Sequence, residues 1–216
     1  MSGVYLTFLG LSFSSGPPPP IVLKKGIFAF GRNSSTVYST SNLVSNVGVV
    51  ETNTINEVGT ARAGLAAASF GGDKAIFAFG YTSTYVSTSN LVSNIGVVET
   101  DVAAVANTEL KKDLAACSYG GDKAIFAYGS TSRVYKYSYY LVSNIGGVAA
   151  NRSGAGTPRA SLAASAYGDG QGIFAFGYNN VYLATSNLVS NVGVVATNTI
   201  NAVGTIRSEL AAASYG

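Results

Sequence analysis

The hexapeptide Gly-Ile-Phe-Ala-Phe-Gly at 26–31 returns as Ala-Ile-Phe-Ala-Phe-Gly at 75–80, Ala-Ile-Phe-Ala-Tyr-Gly at 124–129 and Gly-Ile-Phe-Ala-Phe-Gly at 172–177. Ile27, Ile76, Ile125 and Ile173 are therefore 49, 49 and 48 residues apart. Two further blocks keep the same period. Asn-Leu-Val-Ser-Asn stands at 42–46, 90–94 and 187–191, and as Tyr-Leu-Val-Ser-Asn at 140–144, with Gly48, Gly96, Gly146 and Gly193 at a constant offset behind it. A small-residue block reads GLAAASFGG at 64–72, DLAACSYGG at 113–121, SLAASAYGD at 161–169 and ELAAASYG at 209–216. Self-similarity at such a period is the signature of a repeat architecture.

Within each copy the runs are short and punctuated by Gly, Asn, Ser and Thr, which is strand-and-turn chemistry. The Gly-Gly-Asp-Lys at 71–74 and 120–123 predicts a tight turn between the small-residue block and the Ile-Phe block. No stretch keeps the helical apolar spacing together with helix caps. Ala favours helix, but five residues bounded by Gly are too few to sustain one. Four strands per copy are expected: the small-residue block, Ile-Phe-Ala-Phe-Gly, the run ending in Asn-Leu-Val-Ser, and Gly-Val-Val. Four such units of about 48 residues match the blade period of an all-β propeller.

Arg62 to Gly80, read as RAGLAAASFGGDKAIFAFG, resembles the kelch repeat: an Arg, a small-residue strand, a short turn, then an apolar strand ending in glycine. The order of elements holds through all four copies, 26–216. The sequence departs from the family where Arg32, Tyr81, Ser130 and Tyr178 replace the second glycine, and no Trp occurs. The NLVSN, GVV and LAAA blocks are also similar to repeats of bacteriophage tail-fibre-like and other virion proteins. The resemblance implies a four-bladed kelch-like β-propeller with four antiparallel strands per blade and the Ala-rich strand innermost. Crowding near a ring axis agrees, because only small side chains fit there. The chain enters at a second strand and leaves on an inner one. Leu210 to Gly216 is thus expected to pair with Ile27 to Gly31, closing the ring and covering an edge. Without that pairing the repeats would form an open array or part of a ring shared between chains.

The repeats are bounded as 26–74, 75–123, 124–171 and 172–216. Residues 1–25 read as an N-terminal arm and linker, since Pro17 to Pro20 favour an extended spacer. The apolar stretch 3–13 has no basic residue before it, so it lacks the positive start of a signal peptide. No run reaches the roughly 18–20 apolar residues of a membrane helix. Charged residues make up 11% of the chain, against roughly 25% in ordinary soluble domains. A net charge of +3, spread along the chain, gives no nucleic-acid footprint. His is absent and Cys117 is the single cysteine. An intrachain disulfide, His-based or multi-Cys zinc sites, His acid–base chemistry and a Cys–His dyad are excluded. No cofactor is expected, and Cys117 reads as a small core residue.

The loops joining second to third strands differ between copies, at 32–38, 81–86, 130–140 and 178–182, while the other turns are nearly identical. A repeat protein that varies one face usually binds there. The candidate ligand-binding residues are Arg32 and Tyr38, Tyr81 and Tyr85, Arg133, Tyr135, Lys136, Tyr137 and Tyr139, and Tyr178, Asn179 and Tyr182. Tyr offers contact area with a polar tip at small entropic cost. Alternation along a strand would put Tyr135, Tyr137 and Tyr139 on one side. Arg62, Lys111, Arg159 and Arg207 each precede an inner-strand Leu by three residues, so they are expected at a channel mouth, where they could attract an anion. The competing reading has them bonding carbonyls of an adjacent blade, as it has the tyrosines padding a rim. Glycoside hydrolysis needs two carboxylates in one pocket, and none of the variable loops carries one. The expected function is non-catalytic: a phage virion or extracellular module that binds a host-surface glycan, an acidic one among the candidates. The alternative is a structural subunit that assembles as a homo-oligomer through the propeller and meets other virion proteins through residues 1–25.

Overall fold

The structure, a computed structural model, describes residues 25–52, 58–103, 109–199 and 204–215. The expected arm at 1–24 lies outside the described residues. Those described form strands and no helix. In the first repeat β1 (Gly26–Ala29) pairs with β2 (Ser41–Val44). The second sheet joins β3 (Ala66–Phe70), from the end of the first repeat, to β4 (Lys74–Ala78) and β5 (Ser89–Val92) in one antiparallel order. The third does the same with β6 (Ala115–Tyr119), β7 (Lys123–Ala127) and β10 (Tyr139–Val142). Between β7 and β10, β8 (Ser130–Thr131) and β9 (Val134–Tyr135) make a short hairpin. The fourth sheet is β11 (Ala163–Tyr167), β12 (Gln171–Ala175) and β13 (Ser186–Val189).

The register repeats with the sequence. Ala68 faces Ile76, Cys117 faces Ile125 and Ser165 faces Ile173 across equivalent pairs. The expected fourth strand is reduced to bridging residues, Val44 to Val50, Val92 to Val98, Val142 to Val148 and Val189 to Val195. A side chain adds to the short backbone ladder there: beside the Ser93 N–H to Val97 and Glu99 N–H to Leu91 bonds, Asn90 Nδ2 donates to the Glu99 carbonyl at 3.0 Å, and Asn42 and Asn187 do the same to Glu51 and Ala196. The first asparagine of the Asn-Leu-Val-Ser block therefore holds the outer segment without a continuous strand.

Successive sheets are joined at three levels. Gly31, Gly80, Gly129 and Gly177 donate their N–H groups to the carbonyls of Arg62, Lys111, Arg159 and Arg207 of the following sheet. Asp113 donates to Gly64, Ser161 to Asp113 and Glu209 to Ser161, a ladder of single bonds running from repeat to repeat. At the opposite end Gly71 donates to Asp122 and Gly120 to Gly170. The core fills the two gaps between the last three sheets. Phe70, Phe79, Phe126 and Tyr140 pack in one, and Tyr119, Tyr128, Phe174 and Val189 in the other. Each such buried aromatic or aliphatic side chain contributes roughly 1.5–3 kcal/mol.

The expected pairing of the C-terminal segment with β1 is not made. Residues 210–215 form no strand, and β1 pairs with β2 alone. The inner strands stack in series, β3 on β6 and β6 on β11, with no comparable contact from the fourth sheet back to the first.

Candidate functional site

The basic residues come first, because they set what lies above them. Arg62, Lys111 and Arg159 are 0% exposed, so they do not line a channel mouth. The Arg62 Nε donates to the Phe79 carbonyl at 2.8 Å, and its other nitrogens reach the carbonyls of Thr60 and Phe77. Arg159 reaches Thr157 and Phe174 in the same way. Each arginine also covers an aromatic ring just past the middle strand of the preceding sheet: Arg62 over Phe30 at 4.2 Å, Arg159 over Tyr128 at 4.1 Å and Arg207 over Phe176 at 4.0 Å. Lys111 sits over Tyr140 at 4.8 Å and donates to the Ser138 carbonyl at 2.7 Å. Charge-assisted bonds to carbonyls and contact with ring faces hold these groups inside the protein, although the Arg159 Nε has no acceptor among the described residues. Burial pulls the Arg62 guanidinium down to about 10, partly offset by Asp101 at 3.9 Å, and the Lys111 ammonium down to about 7, partly offset by Glu109. They are clamps between sheets. Arg207 alone of the four is exposed.

The variable loops are placed by the same machinery. Tyr81 bridges both Ala63 and Tyr85, and Tyr178 bridges both Ala160 and Tyr182, so each loop folds back on an inner strand's approach. In the third repeat Lys112 and Ser130 exchange backbone bonds, which sets the β8–β9 hairpin beside them. The result is a cleft of about 670 Å³ that collects Tyr81, Tyr85, Arg133, Tyr135 and Tyr178 from three repeats. Two ring pairs meet edge to face, Tyr81 with Tyr85 at 5.2 Å and Tyr135 with Tyr178 at 6.0 Å, and Tyr178 is tilted against Tyr182 at 5.3 Å. The Tyr85 hydroxyl accepts the Ser132 N–H at 2.6 Å and ties the second repeat's loop to the third. Arg133 is exposed and forms no ion pair among the described residues.

Four lining residues escape the sequence reading: Lys112, Asp113, Ala160 and Ser161. Lys112 lies 5.6 Å over the Tyr81 ring and 3.2 Å from Asp113. Their signal was available, since they directly follow two of the recurring cations, Lys111 and Arg159.

Other candidates fall elsewhere. Lys136 and Tyr137 line a smaller cleft of about 360 Å³ beside the first, with Tyr135 in the wall of both. Lys136 pairs there with Glu109 at 2.5 Å. Burial raises the Glu109 carboxyl, but bonds from Lys136 and Ser138 bring it below its ordinary value overall. Tyr139 is 8% exposed and packs in the core, so Tyr135, Tyr137 and Tyr139 do not share a face. Alternation requires a continuous strand, and the chain leaves β9 at Tyr135 before entering β10 at Tyr139. Arg32, Tyr38, Asn179 and Tyr182 lie outside the cleft lining, with the Tyr38 hydroxyl accepting from Asn33 at 2.7 Å. Asp101 serves the fold, accepting from the Thr60 N–H and from Asn90 Nδ2. Asp73 and Asp122 pair with their neighbours Lys74 and Lys123 in the turns before β4 and β7.

Compared with known proteins, the chain matches no family model and no curated sequence.

Proposed function

We propose that this chain is a non-catalytic recognition module, made of kelch-like propeller blades, whose tyrosine cleft binds an acidic glycan on a host surface. A place on a phage virion, with residues 1–25 meeting other virion proteins, belongs to the same reading. The carrying observation is the convergence of Tyr81, Tyr85, Tyr135 and Tyr178 with an unpaired Arg133 in one cleft built from three repeats. Tyrosine rings cover the C–H faces of a sugar, and a guanidinium pairs with its carboxylate. The buried cations Arg62, Lys111 and Arg159 take no part in this, because they are 0% exposed.

Binding is tested on a glycan array at low and high salt. Changing Tyr135 and Tyr178 together to Ala is expected to lower affinity at least tenfold, since one such anchor is worth about 1–2 kcal/mol or more. Asp73→Ala with Asp122→Ala, in the distant turns, is expected to leave binding intact, and both pairs should melt close to wild type. Equal loss from the two pairs would reject the cleft as the site.

A second reading, a structural subunit, draws on a repeated surface feature. Val47, Ile95, Ile145 and Val192, at equivalent turn positions, are 76%, 69%, 82% and 72% exposed. A subunit of that kind would bind no glycan and would associate in solution.

A further inference from the structure

The two ends of the array each hold one half of a contact that the interior makes whole. In the last three repeats the middle strands β4, β7 and β12 have partners on both sides, whereas β1 has β2 alone. Between the first and second sheets, beside β1, runs a groove of about 370 Å³, lined by Gly26, Ile27, Leu43, Ser69, Ala75 and Gly96 among others. Phe28, in β1, is 65% exposed, while its equivalents Phe77, Phe126 and Phe174 are 6%, 0% and 0% exposed. At the other end, residues 210–215 carry Leu-Ala-Ala-Ala-Ser-Tyr, the inner-strand sequence, with no strand to pair with. Tyr215 is 101% exposed, while its equivalents Phe70 and Tyr119 are 2% and 4% exposed.

The missing halves correspond atom by atom. A Cβ on Gly146 would meet Leu91 and Phe70, and one on Gly193 would meet Tyr119 and Leu141. At Gly96 the three nearest atoms all belong to Leu43, and the aromatic member of the trio is wanting. Arg207 keeps its bond to the Thr205 carbonyl, as Arg62 does to Thr60 and Arg159 to Thr157. It lacks the middle-strand carbonyls that Arg62 takes from Phe77 and Phe79. The equivalent carbonyls in the first sheet are those of Phe28 and Phe30.

We propose that residues 210–215 of one copy of this chain enter the groove beside β1 of a second copy, completing its first sheet head to tail. By the register of β3 on β4, Ala211 then faces Ala29, Ala212 faces Phe28, Ala213 faces Ile27 and Ser214 faces Gly26. Tyr215 fills the space by Leu43 and Gly96, Arg207 bonds the Phe28 and Phe30 carbonyls, and Phe28 packs on Phe176. Strand addition to a free edge is a general mode of association, with main-chain bonds giving affinity and alternate side chains giving specificity. A second copy is the occupant because the fourth sheet makes no extensive contact with the first of the same chain. The joint is heterologous, so it propagates or closes into a ring of copies. It is independent of what the tyrosine cleft binds.

The test uses two variants, each blocking one end. Phe28→Asp puts a charge on the face of β1 that Phe176 of the incoming copy would cover, and Ala212→Pro disables the inserting strand; both residues are exposed in the single chain, so the fold is not at stake. By light scattering, wild type is expected to exceed the monomer mass and each variant alone to be monomeric. An equimolar mixture of the two is expected to give a heterodimer of twice the monomer mass, through the one intact joint that they share. A monomeric wild type overturns the proposal, whether its strand stays free or folds back into its own groove. So does a mixture that stays monomeric, or association that survives in either variant.

Discussion

Each repeat sets an aromatic residue in the left-handed backbone region just before its glycine: Phe30, Phe79, Tyr128 and Phe176 have φ of 64°, 66°, 66° and 63°. Such a conformation costs a bulky residue on the order of 1–3 kcal/mol, and the surroundings must over-determine it. Here they do, because the following glycine bonds to the basic residue that leads into the next inner segment, and that residue's cation lies over the ring, at 4.0 to 4.2 Å for the three arginines and 6.0 Å for Lys111 over Phe79. Lys111 is the exception in chemistry, an ammonium where its neighbours carry guanidinium. Burial brings it from 10.5 to about 7. Between those values the unfolded chain holds one proton more than the folded chain, so stability rises with pH across the window. Above pH 9 the Cys117 thiol, pushed by burial from 9.0 up to about 12, opposes this by keeping its proton in the fold. Wild type is therefore expected to gain on the order of 1–2 kcal/mol between pH 7 and 9. Chemical unfolding at those pH values should show that gain and its disappearance in Lys111→Met. A slope that persists in the variant would assign the titration to another group.

At the scale of the element, the turns and short strands were legible because their chemistry is local. Glycines with positive φ stand where the repeated blocks demanded turns, and the registers follow from them. The outer strand was not legible. Gly-Val-Val has strand propensity, but the Asn90, Asn42 and Asn187 side chains take the carbonyls that a ladder would use, and that competition depends on a partner nine residues away. Gly129 shows how tightly the joints are built. Its φ is +100°, and an added Cβ would lie 2.7 Å from the Lys112 carbonyl oxygen. Gly129→Ala is expected to cost about 2–3 kcal/mol from the strained backbone and the lost bond to Arg159. A thermal melt reads it directly, and a variant as stable as wild type would mean that the joint yields.

For the whole molecule, stability follows from contacts between neighbours in a series, as in other repeat proteins. The third sheet is covered on both faces, and Ile125, Phe126 and Ala127 in β7 are fully buried. The first sheet has two strands and an exposed Phe28. Hydrogen exchange in dilute solution should therefore protect β7 most and β1 least, with rates roughly a hundredfold or more apart. Equal protection at both places would mean that the array opens as one unit. At high concentration β1 should slow, because partner binding stabilises the state it binds.

The sequence by itself determined the number of repeats, the strand chemistry of each block and the all-β class. These are properties of short segments, where propensity, glycine placement and periodicity act within a few residues. Tertiary structure alone decided three things. It buried Arg62, Lys111 and Arg159, because their acceptors are carbonyls of a strand some fifteen or more residues away. It split Tyr135, Tyr137 and Tyr139 among a cleft, its neighbour and the core. And it left the first and fourth sheets apart, because the step between sheets is set by packing across their faces, a quantity that no repeat carries in its own residues.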